Sequence, residues 1–206
     1  MASVFSENLK VYNAEQFNLS VSENGPSDIY FTFGKVTSWP NDDEPTQANT
    51  SISTFNEIWS NMIGAKKITG NDIRHAVHRR DWVTGTVYDM YDDILDSSVL
   101  FDPDYKFFIV TTDWNVYKCL YNNNGEPSTV LPSHIAINTP IEESDGYIWK
   151  YMYTVSSEER LRFTTTSYIP VRTLLLDNNS LQWQVQQQAI SGAINVIQIV
   201  SPGNNY

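Results

Sequence analysis

The chain has 206 residues and sets 24 acidic against 13 basic side chains, a formal charge of −11 with histidine neutral. Such an acidic balance lacks the clustered Lys and Arg that release counterions from a polyanion, so it argues against nucleic acid and against anionic membranes as partners. Six Trp, 12 Tyr and 9 Phe with only 18% charged residues describe a globular chain able to bury a substantial core, while a single cysteine, Cys119, rules out an intrachain disulfide framework and any multi-cysteine metal centre and fits a reducing compartment.

Met1 to Glu7 has neither a basic n-region nor an apolar h-region. No run approaches the roughly 18 apolar residues of a membrane span. The expectation is a soluble chain without a signal peptide or membrane insertion. Residues 1–27 read as an N-terminal arm with a short helix, closed by the break Asn24-Gly25-Pro26-Ser27. Residues 28–206 read as one β-sandwich domain. Within it, Asp28 to Val36 alternates Ile29, Phe31 and Phe33 as a strand does, and the stretch from Trp39 to Ser53, with Pro40, Pro45 and the acids Asp42, Asp43 and Glu44, reads as an exposed loop. A helix follows: Thr54 and Glu57 form a capping-box pattern, Phe55, Ile58, Trp59, Met62 and Ile63 share a face, and Gly64 ends it.

Lys66, Lys67, Arg74, Arg79 and Arg80 cluster ahead of an acidic stretch, Asp89, Asp92, Asp93, Asp96, Asp102 and Asp104. The two are electrostatic complements, for each other or for separate partners. Phe107 to Thr111 and Val116 to Tyr121 form a hairpin around Thr112-Asp113-Trp114-Asn115. Beyond a proline-bearing connection, Tyr147, Trp149, Tyr151, Tyr153 and Val155 occupy alternate positions of one long strand, an aromatic face that belongs in a core. Two further strands are expected at Leu181 to Gln186 and Ile194 to Val200. The last, apolar on both faces, points to continuation into a longer protein.

Chemistry-bearing motifs are sparse. His75 and His78 are within reach of a common metal if Asp72 to His78 is helical, with Asp72 or Asp81 as a third ligand, but they lack the accompanying glutamate of the zinc-hydrolase patterns. The acids from Asp89 to Asp104 lack the glycine and closing glutamate of a calcium loop. Cys119 sits in an apolar strand pattern and reads as a buried small residue, and His134 has no sequence-adjacent partner. No phosphate loop, nucleophile elbow or dinucleotide fingerprint occurs. The expectation is no enzyme, no catalytic residues, no metal and no cofactor. The alternative is a carbohydrate-binding β-sandwich module, with Trp149 and its neighbouring tyrosines stacking sugars beside a row of Gln182, Gln184 and Gln186.

Five segments in fixed order carry a resemblance. They are Ile29-Tyr30-Phe31-Thr32-Phe33-Gly34-Lys35 with Trp39-Pro40, Trp59-Ser60-Asn61-Met62-Ile63-Gly64, Arg79-Arg80-Asp81-Trp82, Val116-Tyr117-Lys118-Cys119-Leu120, and Asp145-Gly146-Tyr147-Ile148-Trp149-Lys150-Tyr151-Met152-Tyr153. Together the chain resembles the gene-eight baseplate wedge family of T-even-type contractile-tailed bacteriophages, over roughly Asp28 to Val171. The resemblance implies a mainly β, layered β-sandwich with helix-bearing loops. It implies a non-enzymatic homodimer made in the host cytoplasm and carried in the virion's tail baseplate, where it contacts other wedge subunits and helps them hold together through assembly and the shape change at infection. Arg79, Arg80, Asp81 and Trp82 match the family most closely, as a structural knot or a partner interface. The aromatic row Tyr147, Trp149, Tyr151 and Tyr153 is assigned to the core.

Overall fold

A computed structural model describes residues 7–22, 28–45, 47, 49–95, 99, 102–190, 192–194, 196–197 and 203. Its contacts divide the chain into two units, Met1–Arg74 and His75–Tyr206.

The first unit holds α1 (Glu7–Ser22), β1 (Tyr30–Phe33), α2 (Ile52–Asn61) and β2 (Gly64–Lys67). Strands β1 and β2 pair antiparallel from Tyr30 opposite Lys67 to Phe33 opposite Gly64. Where β1 ends, Gly34 has φ +126°, and a Cβ there would meet the Ile63 nitrogen at 2.6 Å, so only glycine fits. The start of α2 differs from the sequence expectation. Ser51, extended at φ −72°, ψ 152°, is the cap and accepts from the Thr54 N–H at 3.2 Å. Thr54 already lies in the first turn, and its hydroxyl donates to Asn49 Oδ1 at 2.7 Å. The helix also ends earlier than expected, because Met62 turns extended at ψ 125° and Gly64 opens β2. Phe55 and Trp59 meet edge to face at 6.1 Å on an exposed side of the helix.

The second unit is built on antiparallel β-sheet. It contains β3 (His75–His78), β4 (Phe108–Val110), β5 (Asn115–Asn122), β6 (Ile141–Glu142), β7 (Tyr147–Thr154), α3 (Ser157–Phe163), β8 (Tyr168–Val171) and α4 (Leu181–Gln187). One sheet has the order β4-β5-β7-β6, and β3 pairs with β8 as a separate ladder. Antiparallel sheets with several helices agree with the mainly β class expected from the sequence.

Two apolar clusters hold this unit together. Ile109, Tyr117, Cys119, Tyr147, Trp149 and Tyr151 gather with Tyr88 and with Val185 of α4. Val110 and Val116 gather with Val155 and Ile169, joined by Val77, so the larger sheet packs against the β3–β8 ladder. The division follows strand alternation: Ile109 and Val110 point to opposite faces, as do Val116 and Tyr117. In β7 the alternation is interrupted. Tyr151 pairs with Tyr117 and Tyr153 with the adjacent Val116, so Met152 is an extra residue and Tyr153 joins the second cluster.

The expected strand at Leu181 to Gln186 is instead helix α4. Ser180 caps it by accepting from the Trp183 N–H at 3.1 Å, and Leu181 and Val185, one turn apart, face the first cluster. Gln184 is exposed, but the other two glutamines bond the backbone. Gln186 exchanges two hydrogen bonds with the Leu174 backbone, at 2.9 and 3.1 Å, and Gln182 donates to Arg172 O at 2.6 Å. The other expected strand, Ile194 to Val200, lies largely outside the described residues, of which Ile194, Val196 and Ile197 belong to no strand.

Candidate functional site

The segment Arg79 to Trp82 leaves β3 and is drawn onto β4 by two backbone bonds, Val110 N–H to Arg80 O at 2.7 Å and Trp82 N–H to Val110 O at 2.9 Å. Alternation brings Arg79 and Asp81 together, while Arg80 and Trp82 each reach another part of the unit.

Arg79 Nε donates to both Asp81 carboxylate oxygens at 3.0 Å, and its backbone N–H reaches Ser167 O at 2.8 Å. The Arg79 guanidinium lies 5.0 Å from the centre of the Trp114 ring, and that of Arg160 lies 5.1 Å from it. Trp114 ends the hairpin turn with φ +64°, a left-handed conformation that a bulky residue rarely adopts. Its N–H donates to Thr111 O and its carbonyl accepts from Val155 N–H, both at 2.9 Å.

Arg80 lies over Phe108 at 4.4 Å, and its Nη2 donates to Asp102 O at 3.0 Å and Pro103 O at 3.2 Å. The basic cluster therefore meets the acidic stretch here through backbone carbonyls. Elsewhere it pairs locally, Lys66 with Asp72 and Lys67 with Asp28. Burial lowers the Arg80 pKa, against the opposing pull of Asp89 and Asp102.

Trp82 begins a relay. Its indole Nε1 can only donate, and does so to Ser128 Oγ at 3.2 Å, so the Ser128 proton is directed to Asp145 Oδ2 at 3.1 Å. Asp145 Oδ2 also accepts from the N–H groups of Thr129 at 2.8 Å and Val130 at 2.9 Å, and Oδ1 from Tyr147 N–H at 3.2 Å. Burial alone raises the Asp145 pKa, but these four donors outweigh it and hold the carboxyl below its usual range. Gly146 follows at φ +80°, where a Cβ would meet the Asn123 amide carbon at 2.8 Å. Asp145 thus ties a turn, the 128–130 loop and Trp82 to the start of β7. Sequence reading missed Ser128, Asp145, Trp114 and Arg160 as members of this constellation. The one local sign was Asp145-Gly146 standing just before the aromatic strand.

The aromatic row lies largely inside. Tyr147 and Trp149 have 0% exposure and Tyr151 1%. Tyr147 and Trp149 stack at 5.6 Å, and Tyr88 meets Trp149 edge-on at 5.6 Å. A sugar cannot stack on a ring so enclosed, and the glutamines proposed to accompany it lie on a helix, so the platform geometry of the carbohydrate reading is not formed. Cys119 is fully buried, and burial pushes its thiol up to about 12. His75 and His78 lie on strand β3, where residues three apart point to opposite faces, so the shared helical face needed for a common metal is not built. His134 is edge-on to Tyr117 at 5.2 Å, and burial lowers its pKa.

No helix among the described residues is long and apolar enough to cross a membrane. No family model matches the chain. It is similar to the baseplate wedge protein gp8 of Enterobacteria phage T4, 24% identical over 174 residues that cover 69% of this chain and 52% of that protein. The chain thus spans about half the length of the curated relative it matches. This similarity supports the family resemblance carried by the five ordered segments.

Proposed function

We propose that this chain is a structural subunit of a bacteriophage tail baseplate wedge. The observation that carries the reading is the similarity over 174 residues to a baseplate wedge protein. The architecture is compatible with it: the polar interactions around Asp145 fasten loops to a sheet, as suits a part that works by shape. In this reading the chain catalyses no reaction and resides in the virion. It binds a second copy of itself and other wedge subunits, and it keeps them together through assembly and the change of shape at infection. Arg79 to Trp82 hold the loops that present the binding surface.

The test is to disrupt the gene in the phage and supply the chain in trans. Tails without baseplates in the disrupted phage, restored by the chain and visible by electron microscopy, are expected. Complete, infectious baseplates in its absence would overturn the role. Sedimentation equilibrium of the purified chain tests self-association separately, where a concentration-independent monomer removes the homodimer from the proposal.

A further inference from the structure

Beside the Arg79–Trp82 segment lies a groove of about 370 Å³. It is lined by Val77 and His78 of β3, Phe107 and Phe108 at β4, Tyr168 of β8, and Arg80. His78 and Tyr168 stack at 5.1 Å, so the aromatic walls are held in place. The volume is at the low end of the roughly 300–1,000 Å³ typical of small-ligand pockets, room for one or two side chains rather than a cofactor.

The chemistry of the groove is set by an incompletely satisfied cation. Arg80 is held through Nη2 by two neutral carbonyls, its Nε is buried without a hydrogen-bond partner, and it forms no ion pair among the described residues. Neutral carbonyls orient the guanidinium, Asp89 and Asp102 attract it without reaching ion-pair distance, and a carboxylate in direct contact would add charge-assisted hydrogen bonds. Across a chain of net charge −11, an acidic segment is repelled from most of the surface, whereas this apolar groove offers it a guanidinium that Asp89 and Asp102 attract without forming an ion pair.

We propose that the groove is a docking site for a neighbouring protein, taking one apolar side chain against its aromatic walls while an adjacent carboxylate of the same segment pairs with Arg80. The proposal rests on the assembly role above and names the chemistry of one contact in it. Phe107, Phe108 and Tyr168 supply the apolar contact, and the remaining Arg80 donors supply selection for the acid.

The probes are N-acetyl-phenylalanine, with a free carboxylate, and its amide, titrated into the full chain at neutral pH while the ring signals of His78 and Tyr168 are followed by NMR. The acid should shift both rings saturably in the millimolar range, and the amide should bind at least tenfold more weakly. Ala76→Phe, which adds a ring at an exposed position on the groove wall, should abolish the shifts while leaving the near-ultraviolet circular dichroism unchanged. Equal binding of acid and amide, or no shift up to the solubility of the probes, overturns the proposal. Micromolar binding of the acid also overturns it, since the groove would then be a site for a free small acid. If the acid fails to bind while the chain enters virions normally, the groove is rejected and the wedge role stands. Binding by a chain absent from virions does the reverse.

Discussion

Removing the Asp145 carboxylate should destabilise the second unit more than any other single polar change near Trp82. Four donors converge on it: Ser128 Oγ and the N–H groups of Thr129, Val130 and Tyr147. Ser128 and Tyr147 are fully buried and Val130 is half-buried, so in Asp145→Ala three donors lose their partner away from water, while Thr129 is exposed enough to find solvent. An unsatisfied buried donor costs about 1–3 kcal/mol, and partial relaxation brings the expected loss to about 3–5 kcal/mol. Asp145→Asn keeps one acceptor oxygen but turns an amide towards the remaining donor, with an expected loss of about 2 kcal/mol. Urea unfolding followed by tryptophan fluorescence measures both. The pH dependence supplies an internal check. The native pKa is lowered, so the stabilisation is complete above the unfolded carboxyl pKa of about 3.9 and is lost as pH falls through the lower native value. The wild-type chain should therefore lose stability below about pH 4 more steeply than Asp145→Asn. A loss under about 0.5 kcal/mol for Asp145→Ala, within the range of an ordinary surface change, would refute the assignment of these bonds as a fastening of the fold.

Cys119, fully buried with its thiol pushed up to about 12, should resist a thiol-specific disulfide reagent in the native chain and react on addition of denaturant. Complete labelling within minutes without denaturant would show the strand to be open. Burial lowers the native pKa of His134, so its contribution is intact above the unfolded value of about 6.5 and declines as pH falls below it. His134→Gln should flatten the stability profile between about pH 6.5 and 5, and an unaltered slope there would count against a buried neutral imidazole. Ser51→Ala removes the cap of α2 and should cost about 1 kcal/mol, measured by thermal unfolding at 222 nm, with Thr54→Ala costing less. The reverse order would return the cap to Thr54.

The elements that were legible in the sequence are those whose partners lie close in the chain or whose two faces differ strongly. The β4–β5 hairpin, with its turn at Thr112 to Asn115, and the strand beginning at Tyr147 are of this kind. Helix α4 was misread because Leu181, Trp183 and Val185 satisfy a period of two, while Leu181 and Val185 also satisfy the helical i, i+4 spacing. The deciding signal was Ser180, a capping residue immediately ahead of that run. The interruption at Met152 had no local sign, since a bulge is a property of the pair of strands and not of either one. Arg79 and Arg80 stood out in the basic cluster, and Asp81 and Trp82 only by family likeness. The partners of Arg80 and Trp82 are remote: Asp102 is 22 residues from Arg80 and Ser128 is 46 from Trp82, separations at which a single sequence carries no pairing signal.

Trp114 makes the second unit a mechanical circuit rather than a stack of neighbours. Its ring sits at the tip of one hairpin, in contact with a guanidinium that follows β3 and another borne by α3, and its carbonyl receives the chain leaving β7. A pull on α3 therefore reaches the hairpin tip directly, without travelling the length of any strand. The ends of these elements thus meet at one residue as well as along their strand ladders.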